Sequence, residues 1–304
     1  MLSQLLEDHA AVQLALGFKF RTPGILIRSF VNFAEHRGES IIMTDTVRTW
    51  AQHAPSPEQR RNRLLAVRRF AIMLHAADPR HDVPPADLFG SASHKRCTPY
   101  IYREDEIRRL IDAARHLGPS GSIRPVAYAT MFGLIATTGL RVSEALAIRL
   151  ADVTDDGLTI VQTKFKKSRL LPLHPTTKLV LDRYIARRLK AQSPSDALFI
   201  TLRGTPVAYE TVRAVFLQIA GSIGLHGTPG SRRARIHDLR HTFAVRSLER
   251  CAHDPEAVAR HITALSTYLG HAHVSDTYWY LQATPELMAH VACAGETLHR
   301  GEPA

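Results

Sequence analysis

Residues 237 to 243, His-Asp-Leu-Arg-His-Thr-Phe, put two imidazoles and a guanidinium into one short run whose pattern predicts helix. Residues three or four apart on a helix share a face, so His237, Arg240 and His241 can present donors toward one point. Leu239 and Phe243, also four apart, would form the stripe that anchors the helix to a core. A point lined in this way suits a phosphate: arginine offers a planar fork of charged donors, and a nearby histidine can move a proton at neutral pH. The preceding loop, Gly230 to Arg235, adds Arg232, Arg233 and Arg235. Taken singly, an H-x-x-R pair serves as a cap, an ion pair or a solvated face as often as a phosphate site. Zinc is the competing chemistry, because two histidines at i and i+4 have the spacing of the H-E-x-x-H metal helix. Here Asp238 stands where the glutamate base would be and Arg240 would set a cation beside the metal, so no metal site is expected.

The composition narrows the partner. The 304 residues are 45% hydrophobic and 22% charged, with a formal net charge of +11 carried mostly by arginine and a pI of about 9.9. Such a balance predicts a soluble globular protein with a polyanionic partner held through phosphate contacts. A membrane surface is the rival polyanion, but no stretch has the apolar length to span a bilayer, and Glu7 and Asp8 stand where a signal peptide would be basic. A cytoplasmic protein is expected. The three cysteines, Cys97, Cys251 and Cys293, are widely spaced and odd in number, which fits neither a disulfide framework nor a zinc ribbon.

The elements that would position these residues fall into two groups. Residues 1–85 read as a helical unit, with apolar positions at helical spacing in 25–33, 47–53 and 64–74. Arg61, Arg63, Arg68 and Arg69 give one of its helices a basic side. Residues 86–98 read as a linker of Pro, Gly, Ser and Ala, and 99–304 as a second domain. The acidic turn Glu104-Asp105-Glu106 opens a helix there. The run from Pro125 to Thr137 is nearly all apolar, which predicts a buried helix ending at Thr138-Gly139. Ser143 is the expected cap of the next helix, with Glu144 in its first turn. Residues 158–163 and 169–173 predict a small antiparallel sheet whose tip carries Lys164, Lys166 and Lys167. Further helices are expected around 177–188 and 209–223. The fold class read from the residues is mainly α with a small antiparallel β-sheet.

Four signals in order then resemble one family. Thr137-Thr138-Gly139-Leu140-Arg141-Val142-Ser143-Glu144 looks like the first box of the tyrosine recombinase (phage integrase) family, and His237-x-x-Arg240 like the second. Leu269-Gly270-His271 follows, and Tyr280 stands nine positions after that histidine, at the family's spacing to its nucleophile. The resemblance covers residues 99 to 290; over 1–85 it is one of plan, an N-terminal helical core-binding domain beside a catalytic domain. It implies that Arg141 and Arg240 hold the scissile phosphate, that His271 donates to it, and that His237 transfers a proton. Glu144 would support Arg141. The hairpin lysine that acts as acid is assigned to Lys164, with Lys166 or Lys167 as alternatives because the usual flanking glycines are absent. Lys166, Lys167, Arg232, Arg233 and Arg235 would contact DNA.

The implied chemistry suits these residue types. Breaking a phosphodiester while keeping its energy calls for a covalent intermediate, and Tyr280 would supply the alcohol. Only on the order of one phenol in a thousand is ionised at pH 7, so a base or a strong positive field must assist. Cations that stabilise charge on the non-bridging oxygens do so in the transition state as well, and an acid must protonate the departing 5′ oxygen. The product would be a 3′-phosphotyrosine and a free 5′ hydroxyl, with no cofactor. Tyr278 and Trp279 are left to packing, with the Tyr278 ring facing the core. The resemblance further implies double-stranded DNA with specific recombination sites as partner, and a homo-oligomer, a tetramer on two duplexes. The tail 285–298 would dock on its own domain or on a neighbour. Two rivals share the fold: a non-catalytic DNA-binding protein and a type IB topoisomerase-like relaxing enzyme.

Overall fold

The chain divides into two units, Met1–Arg96 and Cys97–Ala304. The computed structural model describes residues 1–90, 99–161, 168–225, 233–250, 255–271, 273–278 and 280, of which 255–259 are described as backbone alone. In the first unit, apolar residues recurring three and four apart give four helices with one inward stripe each. Leu2 and Leu6 lie on α1 (Leu2–Ala15), and Ile27, Phe30, Val31 and Ala34 on α2 (Arg21–Glu35). Val47, Trp50 and Ala51 lie on α3 (Thr44–Gln52), and Leu64, Val67, Phe70 and Leu74 on α4 (Pro57–Ala77). The stripes meet in one core. α4 starts where the Ser56 side chain accepts from the Gln59 amide and Pro57 takes the first helical position. The stretch expected as a linker begins inside this unit, since Leu88 and Phe89 pack against the same core. Large apolar side chains gain more from burial than their Pro/Gly surroundings suggest.

The second unit is built on α6 (Ile123–Thr138), whose Ala127, Met131, Phe132, Leu134 and Ile135 are buried. Packed on it are α5 (Glu104–Arg115), α8 (Pro175–Leu189) and α10 (Ile236–Glu249). α6 stops at Gly139, which adopts the left-handed region with φ 64°. The next helix, α7 (Val142–Ala147), is capped by Arg141 and not by the expected Ser143. The reason is Glu144: at the third helical position its carboxylate reaches back to the Arg141 amide at 3.0 Å and satisfies that donor itself.

Three short antiparallel strands follow, β1 (Val153–Thr154), β2 (Gly157–Ile160) and β3 (Arg169–Leu171), in the order β1-β2-β3. Leu158 faces Leu171 and Ile160 faces Arg169, so Leu158, Ile160 and Leu171 enter the core while β3 begins on a guanidinium. α9 (Tyr209–Ser222), α11 (Pro255–Leu269) and the single turn α12 (Ser275–Tyr278) complete the described α-helices, and a short 3-10 helix, Leu150–Asp152, precedes β1. The class is mainly α with a small antiparallel sheet.

Candidate active site at the end of α11

A helix leaves its last carbonyls without partners, and that end carries partial negative charge. At the end of α11 three arginines from three distant segments meet this demand. Arg169 donates from Nε to the Tyr268 carbonyl at 2.8 Å. Arg240 donates from Nη2 to Leu269 at 2.8 Å, and Arg141 from Nη2 to Gly270 at 3.2 Å. Arg240 also donates from Nη1 to the Gly139 carbonyl at 2.7 Å, so one guanidinium closes the ends of both α6 and α11. The turn itself closes with the Gly270 and His271 amides donating to Thr267 and Ser266, each at 3.0 Å. Gly270 has φ 67°, and a Cβ there would lie 2.7 Å from Arg169 Nη1. Glycine is required twice, by conformation and by the guanidinium laid on it.

One carboxylate joins the group. Glu144, buried at the start of α7, accepts from Arg141 Nη1 at 2.7 Å and from Arg169 Nη1 and Nη2 at 3.2 and 3.0 Å. Burial raises its pKa, but the hydrogen bonds and charge of Arg169, then those of Arg141, outweigh it and hold the carboxyl below its ordinary value. Three guanidiniums against one carboxylate leave the cluster cationic. Arg240 is 1% exposed; burial first, and Arg141 beside it second, bring its pKa down to about 10, so it is charged at pH 7.

Tyr280 adjoins this cluster. It is 3% exposed and packs with Ala244, Val245, Leu248, Ile262, Leu265 and Leu269. Burial raises its phenol, while the charge of Arg240 and a hydrogen bond with it, then Arg141, pull the other way. The His241 ring lies 5.5 Å from that of Tyr280, and the His271 ring stacks on it at 6.1 Å. His241 in turn meets His237 edge-on at 4.6 Å. Desolvation, then neighbouring cations and imidazoles, lowers all three histidines: His241 to about 3, His271 to about 4, and His237 below its ordinary value. His271 Nδ1 is 2.8 Å from the hydroxyl of Thr277, which is wholly buried on α12.

The structure thus gathers Arg141, Glu144, Arg240, His241, His271 and Tyr280, with His237 next to His241. Lys164, Lys166, Lys167 and Arg232 lie outside the described residues, as do Trp279, the three cysteines and the tail 285–298. Arg233 is exposed, and Arg235 forks onto Asp238 at 2.8 Å. Asp238 is wholly buried and accepts the Arg235 amide as well, so the side chain at the position of a metal-helix glutamate serves as a helix cap. At the site itself, one expectation is overturned. Tyr278, predicted to face the core, is 53% exposed, whereas Thr277 beside it on the single turn α12 and Tyr280, two places beyond that turn, are buried. Two residues escape the sequence reading, Arg169 and Thr277. The only trace of Arg169 in the sequence is its place at the head of a strand, and Thr277 shows none.

The chain is similar to known proteins over most of its length. The profile of the phage integrase family matches residues 101–286. A Sinorhizobium fredii protein named as a candidate integrase/recombinase, y4rB, is 39% identical over 296 residues, 94% of each chain. Tyrosine recombinase XerD of Caulobacter vibrioides is 30% identical over 81% of this chain and 77% of its own. Among solved structures, the XerH site-specific recombinase bound to palindromic difH substrate matches with TM-score 0.66 at 17% identity, over 97% of this chain and 85% of that one. A lambda integrase tetramer bound to a Holliday junction matches with TM-score 0.59 at 18% identity, over 90% and 77%. At these identities the solved structures show a common fold, whereas the profile and the two sequence relatives show descent: the chain belongs to the phage integrase family of tyrosine recombinases, DNA strand-transferring enzymes.

Proposed function

We propose that the protein is a site-specific recombinase in which Tyr280 attacks a DNA phosphodiester, forming a 3′-phosphotyrosyl bond and releasing a 5′ hydroxyl. The observation that carries this reading is the convergence of Arg141, Arg240, His241 and His271 on the Tyr280 side chain. A guanidinium has five N–H donors. Arg240 commits part of its fork to the Gly139 and Leu269 carbonyls, and Arg141 part of its own to the Gly270 carbonyl and Glu144; the remaining donors serve the two non-bridging oxygens, whose charge grows in the transition state. His237, kept neutral at pH 7, accepts a proton. In the tautomer this reading requires, His271 Nδ1 accepts from the Thr277 hydroxyl 2.8 Å away and the ring proton lies on Nε2, where it can bond the phosphate. Lys164 protonates the departing 5′ oxygen, with Lys166 or Lys167 as alternates. The 5′ hydroxyl then attacks the phosphotyrosine of another strand, reversing the first step, so no ATP is consumed.

Double-stranded DNA carrying specific sites is the substrate, and a homo-tetramer on two duplexes is the working assembly, in line with the DNA-bound relatives. Arg233 and Arg235, with Arg232, Lys166 and Lys167, make phosphate contacts. Among the described residues no helix is long and apolar enough to cross a membrane; we assign the protein to the cytoplasm, with the DNA. Tyr280→Phe is the test, because it removes one oxygen and keeps the ring. On nicked duplexes tiled from the DNA flanking its own gene, wild type should become covalently attached to the 3′ side of the break. The variant should shift the same duplexes and form no adduct, while Tyr278→Phe, altered at an exposed ring, should cut. An adduct from Tyr280→Phe sinks the assignment, and none from wild type on DNA it binds leaves a non-catalytic DNA-binding protein.

A further inference from the structure

Arg169 belongs to none of the motifs, yet its side chain ties Glu144 to the helix end at Tyr268 and Gly270. Its Nε holds the Tyr268 carbonyl, its two Nη atoms take both oxygens of Glu144, and its plane lies against Gly270. Its partners stand 25 and 99 positions away in the chain, and its side chain is 13% exposed against 7% for Glu144. We infer that Arg169 is a positioning residue for strand transfer: by occupying both Glu144 oxygens and the Tyr268 carbonyl, it fixes Arg141 and the Gly270–His271 turn in the arrangement that receives the phosphate. This rests on the proposed roles of Arg141 and His271.

The physical case is one of competition for a single carboxylate. Arginine and carboxylate prefer the bidentate, fork-to-fork geometry. Arg169 takes that geometry, which leaves Arg141 a single side-chain bond to Oε1, its own amide bond to Oε2, and a second Nη on the Gly270 carbonyl. Without Arg169, Glu144 can turn its free edge to Arg141 and draw in the donors that the phosphate needs. The Tyr268 carbonyl would lose its partner in the same event, loosening the turn that carries His271. Lysine cannot stand in, because one ammonium does not span two carboxylate oxygens and a carbonyl in a fixed plane.

The experiment compares full-length wild type with Arg169→Gln, Arg169→Lys, Glu144→Gln and the Arg169→Gln/Glu144→Gln double variant. Single-turnover adduct formation is measured on nicked duplexes from the protein's own flanking DNA, at protein concentrations that saturate a gel shift. Arg169→Gln should cut about 10- to 100-fold more slowly, the scale of a small misplacement of reacting groups, while binding within about threefold of wild type. Arg169→Lys should be nearly as slow. The double variant should be no slower than Arg169→Gln, because Glu144 is the route through which Arg169 acts. Additive losses, full recovery with lysine, or losses of cleavage, affinity and melting temperature in proportion would each overturn the inference. An unimpaired Arg169→Gln beside an active wild type overturns it and leaves the Tyr280 reading standing. A wild type that forms no adduct overturns that reading, and this inference with it.

Discussion

Arginines of the N-terminal unit and arginines of the second unit make the same kind of bond under different conditions. In the first unit Arg60 donates to Ala54, Arg63 to Trp50 and Arg68 to Pro84, all backbone carbonyls, at 3.4, 3.2 and 2.9 Å. These side chains lie at the helix surface, where water covers what the protein does not, and they come from one contiguous basic run. In the second unit Arg141, Arg169 and Arg240 come from three segments and converge on one helix end, with Arg240 almost wholly enclosed. A buried charge costs several kcal/mol unless every donor is placed. The density of cations in the sequence is therefore a poor guide to where chemistry occurs; the informative cations are those the fold encloses and supports from several sides.

The sharpest way to break this contrast is Arg240→Lys. One ammonium cannot reach the Gly139 and Leu269 carbonyls and Tyr280 together, so two helix ends lose a partner. Unfolding free energy should fall by about 3 kcal/mol, and single-turnover cleavage by at least about 100-fold. A variant that unfolds in denaturant and cuts like wild type would show that Arg240 resembles the surface arginines after all.

Gly139→Ala probes the same convergence without touching charge. A Cβ on this left-handed residue would lie 2.5 Å from Phe243 and 2.9 Å from Leu269. The strained φ and the overpacking together should cost about 2–4 kcal/mol, read as a lower denaturant midpoint with an unchanged slope. A loss below about 1 kcal/mol would mean that α6, α10 and α11 do not close on one another as tightly as the three-arginine cap requires.

Acid should separate the units next. His241 and His271 have folded pKa values near 3 and 4, below the unfolded value of 6.5. The unfolded chain therefore binds more protons between these limits, so their contribution is complete above pH 6.5 and is lost as pH falls. From pH 6.5 to 5, His241 alone should cost about 2 kcal/mol. His271 loses nearly as much over the same range, and His9 and His81 of the first unit are lowered too, so His241→Asn should remove part of the acid slope of the melting temperature and a His241→Asn/His271→Asn variant the larger part of it. A slope unchanged in that variant would place the acid-sensitive groups elsewhere.

Much of the fold was legible because its signals are local. The apolar run of α6 and its Gly139 stop, the acidic start of α5 and the alternation of the strands each act within a few residues. The motif residues could be lined up through their order in the chain. Arg169 could not, since its meaning lies in partners on α7 and α11 and not in its neighbours. The cap of α7 was misread because Ser143 is the better cap by type, while Glu144 two places inside the helix decides by reach. Spacing from His271 selects Tyr280, whose ring stacks on that histidine, but the side each tyrosine faces depends on a single turn, too short for any periodicity to register. The hairpin lysines and Arg232 lie outside the described residues, so for them the sequence remains the guide.

The smallest effect is expected in the first unit, from Arg63→Met. Arg63 places its guanidinium 5.1 Å from the Trp50 ring centre and donates to the Trp50 carbonyl, and methionine keeps most of the apolar stem while removing both interactions. A partly exposed cation–π contact and one surface hydrogen bond together are worth about 1 kcal/mol, so the denaturant midpoint should fall slightly. Because its donors are turned toward Trp50, adduct formation by saturating protein should match wild type, and the dependence of DNA affinity on salt should keep its slope. If the slope instead becomes shallower by about one counterion and affinity drops uniformly across sequences, Arg63 is a phosphate contact. The basic run of α4 would then be a second functional use of arginine, at the surface and tolerant of water, where the second unit uses enclosure.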